Sequence, residues 1–355
     1  MGLELGRPDC GTSNPKGDFG MMIPWKGGRA WIIAEIGVNH EGSMDTAKDL
    51  IVKAANAGAD AVKFQTYSAE NYVSVVQPER LERVRKFQLS RSDFCVLAEL
   101  AKDSNVEFFS TPLDADDVDF LSEIAPILKI SSGDITYLDL IERAAATHKP
   151  IILSTGLATR EEIARAISSV LKMNPSAASD GSLMLMHCVA SYPTPDAEAQ
   201  LRNIFWLKDE FGLPVGYSDH TLGIKACELA IAAGAAAIEK HFTYRKEDQA
   251  FHDHRLSADP EDMKALVASV RQAELMMGSY ERVRGQTETT FIGHLRRSVA
   301  VRQDLSAGSV LQRDLLICLR PGWGIAPEHM ESALGRRLVR SLKAGEIVRT
   351  EDLEE

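Results

Sequence analysis

Eight apolar, β-branched segments, each followed by a stretch of helical periodicity, recur between residues 31 and 278. No other feature of the chain narrows the fold as far. The segments fall at 31–34, 60–64, 106–109, 127–130, 150–153, 183–186, 214–217 and 235–238. The intervening stretches read as helices. Ile163, Ala166, Ile167 and Val170 share one helical face behind a Thr159/Glu162 capping box. Asp259 and Pro260 read as an N-cap and first helical residue, with Met263, Leu266, Val267 and Val270 turned inward. Eight such units in about 250 residues predict a TIM (β/α)₈ barrel. A doubly wound sheet is the competitor, but no G-x-G-x-x-G follows the first strand.

The pattern stops near Gly278. Residues 280–295 are polar and read as a linker; residues 296–355 resume with short strands and Gly-rich turns, a small β-rich domain. This end is nearly charge-neutral, so the net −11 of the chain resides in the rest. Leu305-Ser306-Ala307-Gly308 is echoed by Leu342-Lys343-Ala344-Gly345, which suggests similar turns. Residues 1–28 lack an apolar h-region and read as a loose extension before a barrel at 29–279. No apolar run approaches the roughly 18–20 residues of a membrane helix. The acidic balance argues against nucleic acid as a partner. Five cysteines without a C-x-x-C pair argue against a disulfide framework or thiolate zinc site, and a cytoplasmic location is expected.

Barrel chemistry sits where the strands end. Each strand here ends in reactive or polar residues: Glu35, Asn39 and His40; Lys63 and Gln65; Thr111; Lys129, Ser132 and Asp134; Ser154; His187 and Tyr192; Ser218 and His220; Glu239, Lys240 and His241. Lysines within apolar strands are costly unless an anion pairs with them, either a carboxylate of the chain or a bound ligand. Lys63 and Lys129, with hydroxyls nearby, point to a phosphate or carboxylate site. His220 and His241 end neighbouring strands, which lie about 4.8 Å apart, so both imidazoles can reach one ion. Two nitrogens leave positions for water and a substrate oxygen, without choosing among manganese, zinc, cobalt and iron. The loop residues His252, Asp253 and His254 either line the mouth or form a solvated turn.

The motifs resemble the sialic acid synthase family. They are Ala34-Glu35-Ile36-Gly37-Val38-Asn39-His40, Val62-Lys63-Phe64-Gln65-Thr66, Phe109-Ser110-Thr111-Pro112, Lys129-Ile130-Ser131-Ser132-Gly133-Asp134, Leu153-Ser154-Thr155-Gly156, Gly216-Tyr217-Ser218-Asp219-His220-Thr221 and Glu239-Lys240-His241-Phe242-Thr243. Arg296-Arg297-Ser298 and Arg320-Pro321-Gly322-Trp323-Gly324 resemble the family's antifreeze-like (SAF) domain. The resemblance implies a condensation of phosphoenolpyruvate with an N-acetylated amino sugar, either N-acetylmannosamine or a 2,4-diacetamido-trideoxy hexose. It implies that Lys63, Thr111, Lys129, Ser132, Ser154 and Ser218 bind phosphoenolpyruvate. It assigns a divalent metal to His220 and His241, manganese first, with magnesium or cobalt as alternatives. Gln65, Tyr192 and Asp253 would contact the sugar, with Arg320 reaching in from the partner of a domain-swapped homodimer. Glu35 and Asp134 become the carboxylates for water and proton movement.

Three positions depart from the family pattern. Asp134 stands where many relatives have Glu, Ala190 where some relatives place a polar residue, and Phe251-His252 where Gly-Pro is more usual. A metal-dependent aldolase on free pyruvate and an inactive polysaccharide-biosynthesis scaffold are the competing functions.

Overall fold

The computed structural model describes residues 23–247, 251 and 253–354. Two compact units are present, Met1–Gly278 and Ser279–Glu355. In the first, eight parallel strands close into a barrel in sequential order: β1 (Trp31–Gly37), β2 (Ala61–Thr66), β3 (Glu107–Pro112), β4 (Leu128–Ile130), β5 (Ile151–Ser154), β6 (Leu183–Cys188), β7 (Val215–Asp219) and β8 (Ala237–His241). The barrel expected from the repeat pattern is therefore the observed fold. Strand β1 pairs with both β2 and β8, which closes the ring.

The strands extend further at their C-terminal ends than polarity alone suggests. Glu35, Lys63, Ser154, Ser218 and His241 all lie inside strands and are buried. Burial of charge ends an apolar pattern in the sequence, yet the chain tolerates it where opposite charges meet.

Between the strands, helices cover the barrel with their apolar faces. Arg160–Met173 begins at a Thr159/Glu162 capping box and buries Ile163, Ala166, Ile167 and Val170. Pro260–Met277 begins at Asp259 and buries Met263, Leu266 and Val270. The connection from β2 to β3 is longer than a single helix. It carries Ala69–Tyr72 and Pro78–Phe87 before the covering helix Arg91–Asp103.

Two segments differ from their sequence reading. The extension is not loose as far as residue 28: Pro24–Lys26 forms a 3₁₀ turn in which Trp25 is buried. The Trp25 ring packs 6.3 Å from Trp31, and its Nε1 donates to Gly181 O at 2.9 Å. Residues 1–22 lie outside the described residues. The expected linker at 280–295 contains a helix, Gln286–Leu295, with no buried residue and so no periodicity to betray it. Cys95 is disulfide-bonded, which removes the cysteine pattern as an argument for compartment.

The second unit has its own core, built around Val299, Val301, Leu311, Leu338 and Val348. Strands β9 (Ser298–Val301) and β10 (Leu316–Leu319) pair antiparallel. Its two echoed turns meet: Leu305 and Leu342 exchange backbone hydrogen bonds, each 2.9 Å.

Candidate active site at the barrel mouth

Within the first unit, a cavity of about 480 Å³ opens at the C-terminal ends of the strands. Glu35, Lys63, Gln65, Thr111, Lys129, Ser132, Ser154, Tyr192, Ser218, His220, His241 and Asp253 all line it. The strand-end residues therefore converge as the barrel topology requires.

At the bottom lie two lysines and two glutamates, all buried. Lys63 Nζ sits 2.8 Å from Glu35 Oε2 and 3.6 Å from Glu239 Oε2. Lys129 Nζ reaches both oxygens of Glu239, at 3.1 and 3.0 Å. Ser218 Oγ donates to Glu239 Oε1 at 2.9 Å, and Lys63 Nζ donates to Thr111 Oγ1 at 3.4 Å. Two carboxylates sharing a dry site titrate apart. Burial, only partly offset by Lys63 and reinforced by the charge on Glu239, pushes Glu35 up to about 7. Burial also disfavours the Glu239 anion, but Lys129 and Lys63 outweigh it and hold that carboxyl down to about 2. Sequence reasoning placed Glu239 at a strand end and gave it no role. Only barrel closure brings it to the two lysines.

Local backbone features aim these groups. Register in β1 shifts between Glu35 and Gly37, and Gly37 has φ +54°, with Glu35 Oε1 only 3.0 Å from where a Cβ would stand. The bulge brings Glu35 beside Lys63 and within 3.4 Å of Gln65 Nε2. At Gly156 a Cβ would lie 2.7 Å from Ser132 Oγ and 2.8 Å from Cys188 Sγ. The absent side chain lets the Gly156 N–H donate to Ser132 Oγ at 3.1 Å, which fixes that hydroxyl at the cavity wall.

His220 and His241 stand side by side, ring centroids 5.4 Å apart. His220 Nδ1 lies 2.7 Å from Val189 O, an acceptor only, so Nδ1 carries the proton and Nε2 keeps its lone pair. The buried His241 Nδ1 has no hydrogen-bond partner among the described residues. Burial lowers both histidines below their ordinary value, so both are neutral imidazoles near pH 7. Two neutral donors, one of them orphaned in a buried wall, fit a divalent cation. Among the described residues, no group of three or more His, Cys, Asp or Glu side chains is placed to hold one. An ion here would thus rest on two imidazoles and keep positions open. Asp253 Oδ2 lies 4.0 Å from His241 Nδ1, and the Tyr192 ring packs tilted against that of His220, centroids 4.2 Å apart.

Other expected residues fall elsewhere. Asp134 does not line the cavity; its carboxyl accepts from Ser131 Oγ at 2.5 Å, and burial raises its pKa. Arg320 is exposed in the second unit. His254 is fully buried between Thr243 Oγ1, at 2.6 Å, and Glu41 Oε1, at 3.1 Å, and is structural. Asn39 and His187 likewise hold backbone carbonyls rather than the cavity. His252 lies outside the described residues. The mouth gains residues the sequence reading missed: Tyr72, Arg80, Arg83, Val84 and Phe87, all from the long connection after β2. Phe251 packs edge-on against Phe87 at 5.4 Å on this side of the cavity.

Residues 50–282 match the model of the NeuB family, and residues 296–354 match the SAF domain. The chain belongs to the NeuB family. An N,N'-diacetyllegionaminic acid synthase of Legionella pneumophila is 41% identical over 338 residues, covering 91% of this chain and 94% of that protein. A pseudaminic acid synthase of Helicobacter pylori is 32% identical, covering 91% and 97%. Among solved structures, the N-acetylneuraminic acid synthetase of Leptospira borgpetersenii in complex with citrate superposes with a TM-score of 0.70 at 36% identity, covering 74% of this chain and 90% of that one. The Leptospira structure shares the fold, and the sialic acid synthase resemblance read from the motifs is that of the family itself.

Proposed function

We propose that this enzyme condenses phosphoenolpyruvate with an N-acetylated amino sugar, releasing phosphate by C–O cleavage and giving a nonulosonic acid. The quartet of Lys63, Lys129, Glu35 and Glu239 beneath a two-histidine wall carries this reading. A trianionic donor entering the cavity meets two ammonium groups already desolvated. Thr111, Ser132, Ser154 and Ser218 supply hydroxyls around them. Glu239 yields contacts to the incoming anion, so it acts as the counter-charge of the empty site and makes donor binding an exchange of partners.

Carbon three of phosphoenolpyruvate forms the new bond to the sugar aldehyde carbon as the aldehyde C=O π bond breaks, its oxygen taking up a proton to become the new hydroxyl, and positive charge develops at carbon two. Glu35 faces that region from β1 and takes a proton from the water that adds there. The C–O bond to phosphate then breaks as the hydroxyl on carbon two gives up its proton, leaving the keto acid and inorganic phosphate. Lys63 and Lys129 stay on the departing phosphate and stabilise its charge. A divalent ion at His220 and His241, manganese by preference and magnesium or cobalt as alternatives, supplies Lewis-acid polarisation of the aldehyde when bound. Gln65, Tyr192 and Asp253 orient the acceptor.

Identity with the Legionella relative favours a 2,4-diacetamido-trideoxy hexose over N-acetylmannosamine as acceptor. We also propose a domain-swapped homodimer. Arg320 is exposed, and no carboxylate pairs with it among the described residues, as expected of a group that serves a partner's cavity. Mixing an Arg320→Ala chain with a Lys63→Met chain should recover activity in heterodimers; confirmed heterodimers without recovery would exclude the swap. Free pyruvate in place of phosphoenolpyruvate should give no product, which separates the synthase from an aldolase.

A further inference from the structure

Behind the two histidines, on the outer side of the barrel wall, Asp219 of β7 and Lys240 of β8 form a fully buried ion pair of 2.8 Å between register partners. The donor and acceptor chemistry described above uses neither residue. Strand side chains alternate, so when Asp219 and Lys240 face outward, their neighbours His220 and His241 face the cavity. Lys240 Nζ also donates to Thr221 O at 2.6 Å. One ammonium therefore holds the residue before His220 and the residue after it, and is itself the residue before His241. Asp219 is over-determined in turn. Its Oδ1 accepts from Tyr217 OH at 3.1 Å and from Thr221 N at 2.8 Å, and its Oδ2 from Cys227 Sγ at 3.3 Å.

We infer that Asp219 and Lys240 are positioning residues for the metal site: their ion pair sets the spacing and aim of the two imidazoles. A pair that served only strand pairing would not need to reach the Thr221 carbonyl. The turn 219–221 leaves the strand just where His220 must bend towards Val189 O, and the second Lys240 contact fixes that turn. The inference rests on the reading of His220 and His241 as metal ligands.

The test is Mn²⁺ binding, followed by electron paramagnetic resonance of the full chain, with metal-free phosphoenolpyruvate binding measured beside it. Lys240→Met should weaken Mn²⁺ binding about tenfold or more, the range typical of lost outer contacts to a metal ligand. Phosphoenolpyruvate affinity should stay within about twofold, and excess Mn²⁺ should restore part of the turnover. The double variant Asp219→Asn/Lys240→Met removes both charges and should behave alike. Parental Mn²⁺ affinity in either folded variant overturns the inference. Should neither fold, Tyr217→Phe decides, since it removes one neutral donor to Asp219. A several-fold loss of Mn²⁺ affinity supports the clamp, and parental affinity overturns it. His220→Ala and His241→Ala separate the two levels. If they bind Mn²⁺ as the parent does, the metal reading itself fails; if they lose it while Lys240→Met does not, only the clamp fails.

Discussion

Lys129 on β4 and Glu239 on β8 join hands across the barrel, with Lys129 Nζ on both carboxylate oxygens at 3.1 and 3.0 Å. The two strands stand opposite each other in the ring, so the bond spans the interior where a substrate must enter.

Removing that carboxylate charge leaves two buried ammonium groups facing one glutamate. Glu239→Gln should therefore lower the stability of the ligand-free enzyme by about 3 kcal/mol, the cost of breaking a buried pair on one side. Phosphoenolpyruvate replaces the lost charge, so it should raise the melting temperature of the variant more than that of the parent. Thermal melts with and without the donor check this. A variant as stable as the parent without ligand contradicts the counter-charge role.

The raised pKa of Glu35 has a definite sign in stability. Its folded value of about 7 lies above the ordinary 4.5, so its contribution is fully present below 4.5 and lost as pH rises to 7. Glu35→Gln stays neutral and lacks this loss. Relative to the parent, the variant should gain up to about 3 kcal/mol between pH 4.5 and 7.5. Urea unfolding of the ligand-free proteins across that range measures the difference. A constant gap between them would place Glu35 among ordinary carboxylates.

Gly156 sets the position of Ser132 by having no side chain. Gly156→Ala places a methyl 2.7 Å from Ser132 Oγ and 2.8 Å from Cys188 Sγ, so the hydroxyl must move. The KM for phosphoenolpyruvate should rise about tenfold, the loss expected of one charge-assisted hydrogen bond. The KM for the acceptor should change little. Steady-state kinetics in both substrates checks it, and an unchanged donor KM contradicts the role of Ser132.

Much of this site was legible in the chain because barrels put chemistry in one place. A lysine within Ala-Val-Lys-Phe or Leu-Lys-Ile is visible against an apolar strand, as are histidines closing adjacent strands. The partners of the lysines were not legible, since Glu35 and Glu239 are far apart in sequence and meet only after closure. The mouth was missed for a different reason. Pro78–Phe87 is a charged segment with only Leu81 and Phe87 buried, so its periodicity is weak, although Pro78 marks its start. Gln286–Leu295 buries nothing and left no pattern. Trp25 sat in a segment whose composition reads as loose, and one large apolar side chain was enough to dock it.

The bond that breaks in phosphoenolpyruvate separates this reaction from its alternatives. Phosphoenolpyruvate carrying ¹⁸O at the bridging position is incubated with the enzyme, Mn²⁺ and a panel containing N-acetylmannosamine and diacetamido-trideoxy hexoses, and phosphate and product masses are followed together. Cleavage of the C–O bond gives acceptor-dependent phosphate that retains the label, with one nonulosonic acid formed per phosphate. Unlabelled phosphate, or no acceptor-dependent release with any sugar of the panel, would contradict it.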